Sequence, residues 1–172
     1  MKETEVYRIL SAYNSAHDFF KATQNAAQEI QAARLTLERL HVRELPHAQS
    51  YAPRVTGGKV ELLNATDVRM MVEERTRKTV EEDTRLVEAC TALLYGVQGG
   101  QQRGGLVTLV GVQTCDVVFQ RVVQLRKWFV VARTCCMSLS WCKLQYGVAC
   151  ESVDTYGWQA CVQGKVKEEQ AF

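Results

Sequence analysis

From Glu5 to about Val42 the chain has neither proline nor glycine, and apolar or small residues recur at Val6, Ile9, Tyr13, Ala16, Phe20, Ala27, Ile30 and Leu37. Intervals of three, four or seven put these positions on one stripe of a long helix. The stripe is rich in alanine and interrupted at Thr23 and Arg34, which fits the seam of a helical hairpin better than an isolated coiled coil. Pro46, Pro53 and the Gly57-Gly58 pair then break the pattern, giving a connector over about residues 45–64. A second helix is expected to start near Asn64 or Thr66, where a capping side chain is available, and to run to Gly96 as its stop. Its middle, EERTRKTVEED, is almost wholly polar. Mixed charges at helical spacing describe a solvated face, so Arg75, Arg77 and Lys78 are given no binding role. The two long helices are expected to pair antiparallel as a hairpin over residues 1–95.

Residues 96–105 (GVQGGQQRGG) hold five glycines in ten positions, which reads as a hinge and a domain boundary. A phosphate-binding loop of the Walker type would need Gly-Lys-Ser/Thr entering a helix after a strand; this stretch has no such lysine and follows a helical pattern. Beyond it the chain becomes more apolar and β-branched, and propensity alone would allow strands in VTLVGV and VVFQRVV. Yet Val117, Val118, Arg121, Val122 and Leu125 sit at helical spacing, as do Trp128, Val131 and Ala132. Three short helices are therefore expected near 114–126, 127–135 and 139–155, in a domain over 106–160 followed by a polar tail over 161–172. The fold class is mainly α.

A chain of 172 residues with 47% hydrophobic content can bury a core without metals or disulfides. No run of eighteen apolar residues occurs, and the N-terminus lacks the basic start and apolar stretch of a signal peptide, so a cytoplasmic protein outside the membrane is expected. Of the seven cysteines, six lie beyond residue 114, at Cys115, Cys135, Cys136, Cys142, Cys150 and Cys161. Their odd count and the lack of a Cys-x-x-Cys pair speak for small reduced core residues rather than a disulfide frame or a zinc site. His17, His41 and His47 all lie in the other half, and no Ser-His-Asp arrangement stands out, so neither a metal, a cofactor nor an enzyme is expected. The formal charge of +2 hides an asymmetry: residues 91–150 carry six basic residues against the single acid Asp116. That bias suits an anionic partner.

The segment KWFVVARTC-CMS-LSWCKLQYGVACESVD fits the plan of a helix-turn-helix: a short helix with an apolar inner face, a turn of three or four residues, and a second helix whose outer face can enter the major groove. Ser138 or Ser140 can cap the second helix. On a helical wheel Leu139, Cys142, Tyr146, Ala149, Cys150 and Val153 gather on one face, and Ser140, Lys143, Gly147 and Glu151 on another, the candidate groove-facing one.

Leu93-Leu94-Tyr95-Gly96, then Arg103-Gly104-Gly105-Leu106, the start CDVVFQ, Trp128-x-x-Val131-Ala132-Arg133, and Ser140-Trp141-Cys142 with Glu151 and Asp154 beyond form a familiar series. Over roughly residues 86–157 it resembles the small phage and mobile-element regulators whose C-terminal domain is similar to the region-four, promoter-recognition domain of bacterial sigma factors. The resemblance implies that Trp128, Val131 and Ala132 pack the helix before the turn, and that the helix starting near Trp141 is the recognition helix. It implies groove-side roles for Ser140, Lys143, Gln145 and Gly147, with Arg126, Lys127 and Arg133 reaching phosphates; Ser138 at the turn completes the candidate DNA-binding set. The family tends to carry a run of arginines along this helix, whereas this chain has Lys143-Leu-Gln-Tyr-Gly-Val. The function expected is that of a regulator reading double-stranded DNA, with affinity supplemented by a homodimer or by RNA polymerase. The alternative is an adaptor that docks on RNA polymerase or another protein and reads little DNA itself.

Overall fold

A computed structural model describes residues 1–42, 59–97 and 104–165, with side chains 40–42 and 59–69 left aside. Among these residues the protein is mainly helical and contains no strand. No described helix is long and apolar enough to cross a membrane.

The first periodic segment is two helices rather than one: α1 spans Glu3–Leu10 and α2 spans Ala16–Val42. The absence of proline and glycine suggested continuity, but Ser15 supplies a side-chain cap that starts a new helix. Its hydroxyl accepts from the Asp18 backbone N–H at 3.1 Å and donates to the Asp18 carboxylate at 2.9 Å. A second cap comes from far along the chain, where Asp154 Oδ1 accepts from the Ala16 N–H at 2.7 Å. The buried face of α2 comprises Ala16, Phe19, Phe20, Thr23, Ala26, Ala27 and Ile30. Thr23 therefore does not interrupt the stripe. Its hydroxyl donates to the Phe19 carbonyl at 2.9 Å, which removes the cost of burying it. Beyond Ile30 the helix leaves the core, and Arg34 and Leu35 are exposed.

The next helix, α3, spans Lys59–Tyr95, so it starts several residues before the Asn64 or Thr66 expected to open it. The rest of the expected connector, 45–58, lies outside the described residues. Thr23 on α2 meets Cys90 on α3, and Glu29 faces Asp83. As numbering rises on one helix it falls on the other, so the pair is antiparallel. Among the described side chains of α3 only those of its last turns enter the core, through Ala89, Cys90, Ala92, Leu93 and Leu94. Gly96, with φ +85°, ends the helix where the sequence put its stop.

After the glycine-rich segment come α4 (Val107–Val110), α5 (Val112–Val122), α6 (Trp128–Thr134) and α7 (Leu139–Gln163). The last three match the helices expected from periodicity, and the β-branched 106–122 stretch is helical throughout its ordered elements. α7 runs past residue 160, bending at Gly157 (φ +80°), and buries Cys161 and Val162, so the first part of the expected polar tail is core. Residues 166–172 are outside the described set.

The described ends of the glycine segment are held tightly. Leu106 N–H donates to the Leu93 carbonyl at 2.8 Å, and Gly105 N–H to the Val162 carbonyl at 2.9 Å. A Cβ on Gly104 would stand 2.6 Å from the Val162 carbonyl oxygen, one on Gly96 would stand 2.7 Å from that of Gly104, and one on Gly105 would overlap the Gly96 nitrogen. Three backbones thus meet where side chains have no room. The hinge expected at 96–105 is, at these ends, a packed junction, while residues 98–103 lie outside the described set. One hydrophobic cluster runs across the expected domain boundary, joining Val6, Leu10, Phe19, Phe20, Leu93 and Leu94 to Leu106, Cys115, Val118, Ala149, Val153 and Cys161.

All seven cysteines are free thiols; Cys90, Cys115, Cys142 and Cys161 are fully buried as small core residues, whereas Cys135 and Cys150 are half-buried and Cys136 is exposed, so the core reading holds for four of them. Burial pushes the thiols of Cys90, Cys115 and Cys161 up to about 12.

Replacing Gly105 by Ala forces a side chain into positive φ and against backbone, and is expected to destabilise the protein by more than about 2 kcal/mol in chemical denaturation. Asp83 offers a pH test. Burial first, then Glu29 and Glu82, hold its carboxyl above the ordinary 3.8, and its Oδ2 has no hydrogen-bond partner. A raised native pKa means the folded state favours the protonated form. That contribution is present in acid and lost as pH rises above the carboxylate range. Asp83→Asn should therefore raise the Tm at pH 7, and the difference should shrink below pH 4; an unchanged or lowered Tm at pH 7 would contradict the assignment.

Candidate nucleic-acid interface

The corner formed by α6, the four residues Cys135–Ser138 and α7 is built from local rules. α5 ends at Val122, and the loop after it is fastened by cations. Arg121 donates to the Arg126 carbonyl at 3.1 Å and lies 5.2 Å from the Trp128 ring centre. Arg126 in turn donates to Gln120 Oε1 at 3.2 Å and to Thr134 Oγ1 at 3.1 Å. Lys127, in extended conformation, is the residue before the first turn of α6.

α6 ends in a Schellman arrangement: the Met137 N–H donates to the Ala132 carbonyl at 2.9 Å and the Cys136 N–H to that of Arg133 at 3.4 Å. The left-handed position that glycine normally takes is held by Cys136, with φ +54°. Ser138 then caps α7, its hydroxyl accepting from the Trp141 N–H at 3.2 Å. The inner surface of the corner is a small cluster of Val117, Val131, Ala132 and Cys142, with Trp128, Cys135, Met137 and Tyr146 packed on it. Trp128, Val131 and Ala132 thus pack α6 as the sequence implied. Tyr146 joins this cluster to the main core, since its ring lies 5.8 Å from that of Trp128 and 5.9 Å from that of Phe20 on α2.

The sequence-derived candidates separate into two groups. Lys127, Arg133, Ser140 and Lys143 are exposed. Ser138 is exposed too, but its hydroxyl is occupied as the cap. Arg126 is half-buried and committed to Gln120 and Thr134. Gln145 is turned inward: its amide oxygen accepts from the buried Thr114 hydroxyl of α5 at 2.5 Å. It therefore does not share the outer face with Lys143, because α5 packs against the flank of α7 on which position 145 falls. Leu139, assigned to the inner face, is 43% exposed, since α7 has only just begun there and α6 does not reach over it.

The outer face also carries apolar residues to which the sequence gave no binding role. Phe129 is 64% exposed, Trp141 49% and Leu144 53%. A wheel contains the signal for Leu144, which lies four residues after Ser140 and three before Gly147, on the face assigned to the groove. From Val117 to Cys150 the chain has five cations and no acid, so no carboxylate of that stretch neutralises the corner. Among the described residues no three His, Cys, Asp or Glu side chains stand together as a metal site.

No family model matches the chain, and no curated protein or solved structure matches it.

Cys136→Gly should stabilise the fold by about 1 kcal/mol, because it relieves a left-handed conformation that a side chain resists. Ser138→Ala should cost about 1 kcal/mol through the lost cap. Thermal or urea denaturation measures both, and a stabilised Ser138→Ala variant would contradict the capping role.

Proposed function

We propose that the chain is a DNA-binding transcriptional regulator in which α6 and α7 act as a helix-turn-helix. The observation that carries the reading is electrostatic and geometric together. An acid-free corner presents Lys127 at the start of α6, Arg133 near its end and Lys143 on α7, all exposed, around a helix whose opposite face is fixed in the core. Exposed cations spaced around a protruding helix suit phosphates on the two walls of a groove, and phosphate contacts set the register of a helix before any base is read. The resemblance to sigma region-four regulators expected from the residues of 86–157 points the same way, and the cap at Ser138 gives α7 a defined start. Such a regulator works in the cytoplasm on double-stranded DNA, alone, as a homodimer or beside RNA polymerase.

A second reading, a protein adaptor on RNA polymerase or another partner, is favoured by one observation: Phe129, Leu139, Trp141 and Leu144 leave unusual apolar area on the same corner. Anisotropy of the full chain with a mixed-sequence duplex library at rising salt separates the two. Two phosphate contacts, from Lys127 and Arg133, give a slope of log K against log salt of about −1.8, and Arg133→Ala should reduce its magnitude by about one while weakening all sequences alike. Lys143→Ala should relax sequence preference instead. Absence of binding at low salt, with loss of a polymerase complex on Leu144→Asp, would establish the adaptor.

A further inference from the structure

We infer that α7 reads thymine, through contact of Leu144 with the 5-methyl groups in the major groove, and that Gly147 admits the base edge to the helix backbone. The inference rests on the DNA-binding reading above and concerns which sequences that surface prefers. Two observations meet on one strip of α7. Leu144 is half-exposed, whereas Leu10, Leu93, Leu94 and Leu106 are fully buried. One turn later, Gly147 sits inside a regular helix with nothing within 4 Å of where its Cβ would be. The packing of the protein therefore does not require a glycine there, and glycine is among the poorest residues for that place. A close approach from outside accounts for both features: an apolar side chain needs an apolar partner, and the bare position beside it lets that partner come near.

Gln145, a residue suited to adenine, is engaged with Thr114, which leaves Lys143 and Ser140 as the polar donors toward the groove. In the major groove the thymine methyl is the one apolar group that base pairs display, so a leucine-centred face discriminates for it. The cations identify DNA as the occupant rather than an apolar protein surface. Lys127 and Arg133 on α6 and Lys143 on α7 are exposed, and the first acid on α7 is Glu151, one turn past Gly147.

The test uses the full chain and the duplex that survives selection from a random library. The same duplex is then made with uracil in place of thymine, which removes only the methyl groups. Affinity of the wild type is expected to fall about fourfold for each methyl that is contacted, the factor that burying one such group implies. Leu144→Ala should bind the thymine duplex more weakly by a similar factor and should no longer distinguish it from the uracil duplex. Gly147→Leu should lose at least tenfold in affinity while its circular dichroism and Tm hold or rise. Equal binding of both duplexes by the wild type, or full affinity in Leu144→Ala, overturns this inference and leaves the regulator reading standing. No binding to any duplex at low salt overturns both.

Discussion

The contact on which the fold depends is the meeting of three backbones at Gly96, Gly104–Gly105 and Val162. Peptide groups approach there to hydrogen-bond distance, Leu106 with Leu93 and Gly105 with Val162, in a space that one methyl group would fill. The consequence is topological. The end of α3, the entry to α4 and the last turn of α7 are fixed to one another, so the chain after the glycines is folded back against the chain before them. Tyr95 then reaches across to Asp116 on α5 at 2.6 Å, which satisfies the only acid of the 91–150 stretch inside the protein. Burial, with that carboxylate beside it, raises the Tyr95 hydroxyl well above its ordinary value, so it stays a donor.

From this junction α7 acts as the central beam. Cys142, Ala149, Val153, Cys161 and Val162 point inward, Asp154 caps α2, and Tyr146 stands between Phe20 and Trp128. Because so much of α7 is committed on one side, its opposite side is held in a fixed orientation. A recognition surface benefits from such support, since a reading helix discriminates only when its position is determined before the ligand arrives. The same commitment explains why Gln145 and Arg126 are unsuited to the proposed contacts: they belong to the scaffold that positions Lys127, Arg133, Ser140, Lys143 and Leu144.

The N-terminal helices relate to this corner through the shared core rather than as a separate body. Phe19 and Phe20 insert between α3 and α7, with the Phe19 ring 5.5 Å from that of Trp158. Past Ile30, and over the polar middle of α3, the hairpin projects away from the core with exposed Met70, Met71 and Val72 on α3.

Much of this was written in local pattern. Period-3.6 spacing gave the helical class and the approximate place of α5 and α6, Gly96 marked the end of α3, and the serines at 138 and 140 offered the start of α7, because caps and periodicity are set by residues within a few positions of one another. The cap at Ser15 was equally local and equally visible. What no local pattern could decide is where a side chain's partner comes from. Thr23 is core because Cys90 and its own helix carbonyl surround it, Gln145 faces inward because Thr114 meets it, and Leu144 is outside because no element covers it. The glycines at 104 and 105 have the composition of a hinge and the role of a clasp, and the difference lies in Val162, more than fifty residues away. The sequence by itself determined which segments are helices and where the charge lies; the tertiary structure decided which faces remain for a partner, since exposure is a property of what else has packed nearby.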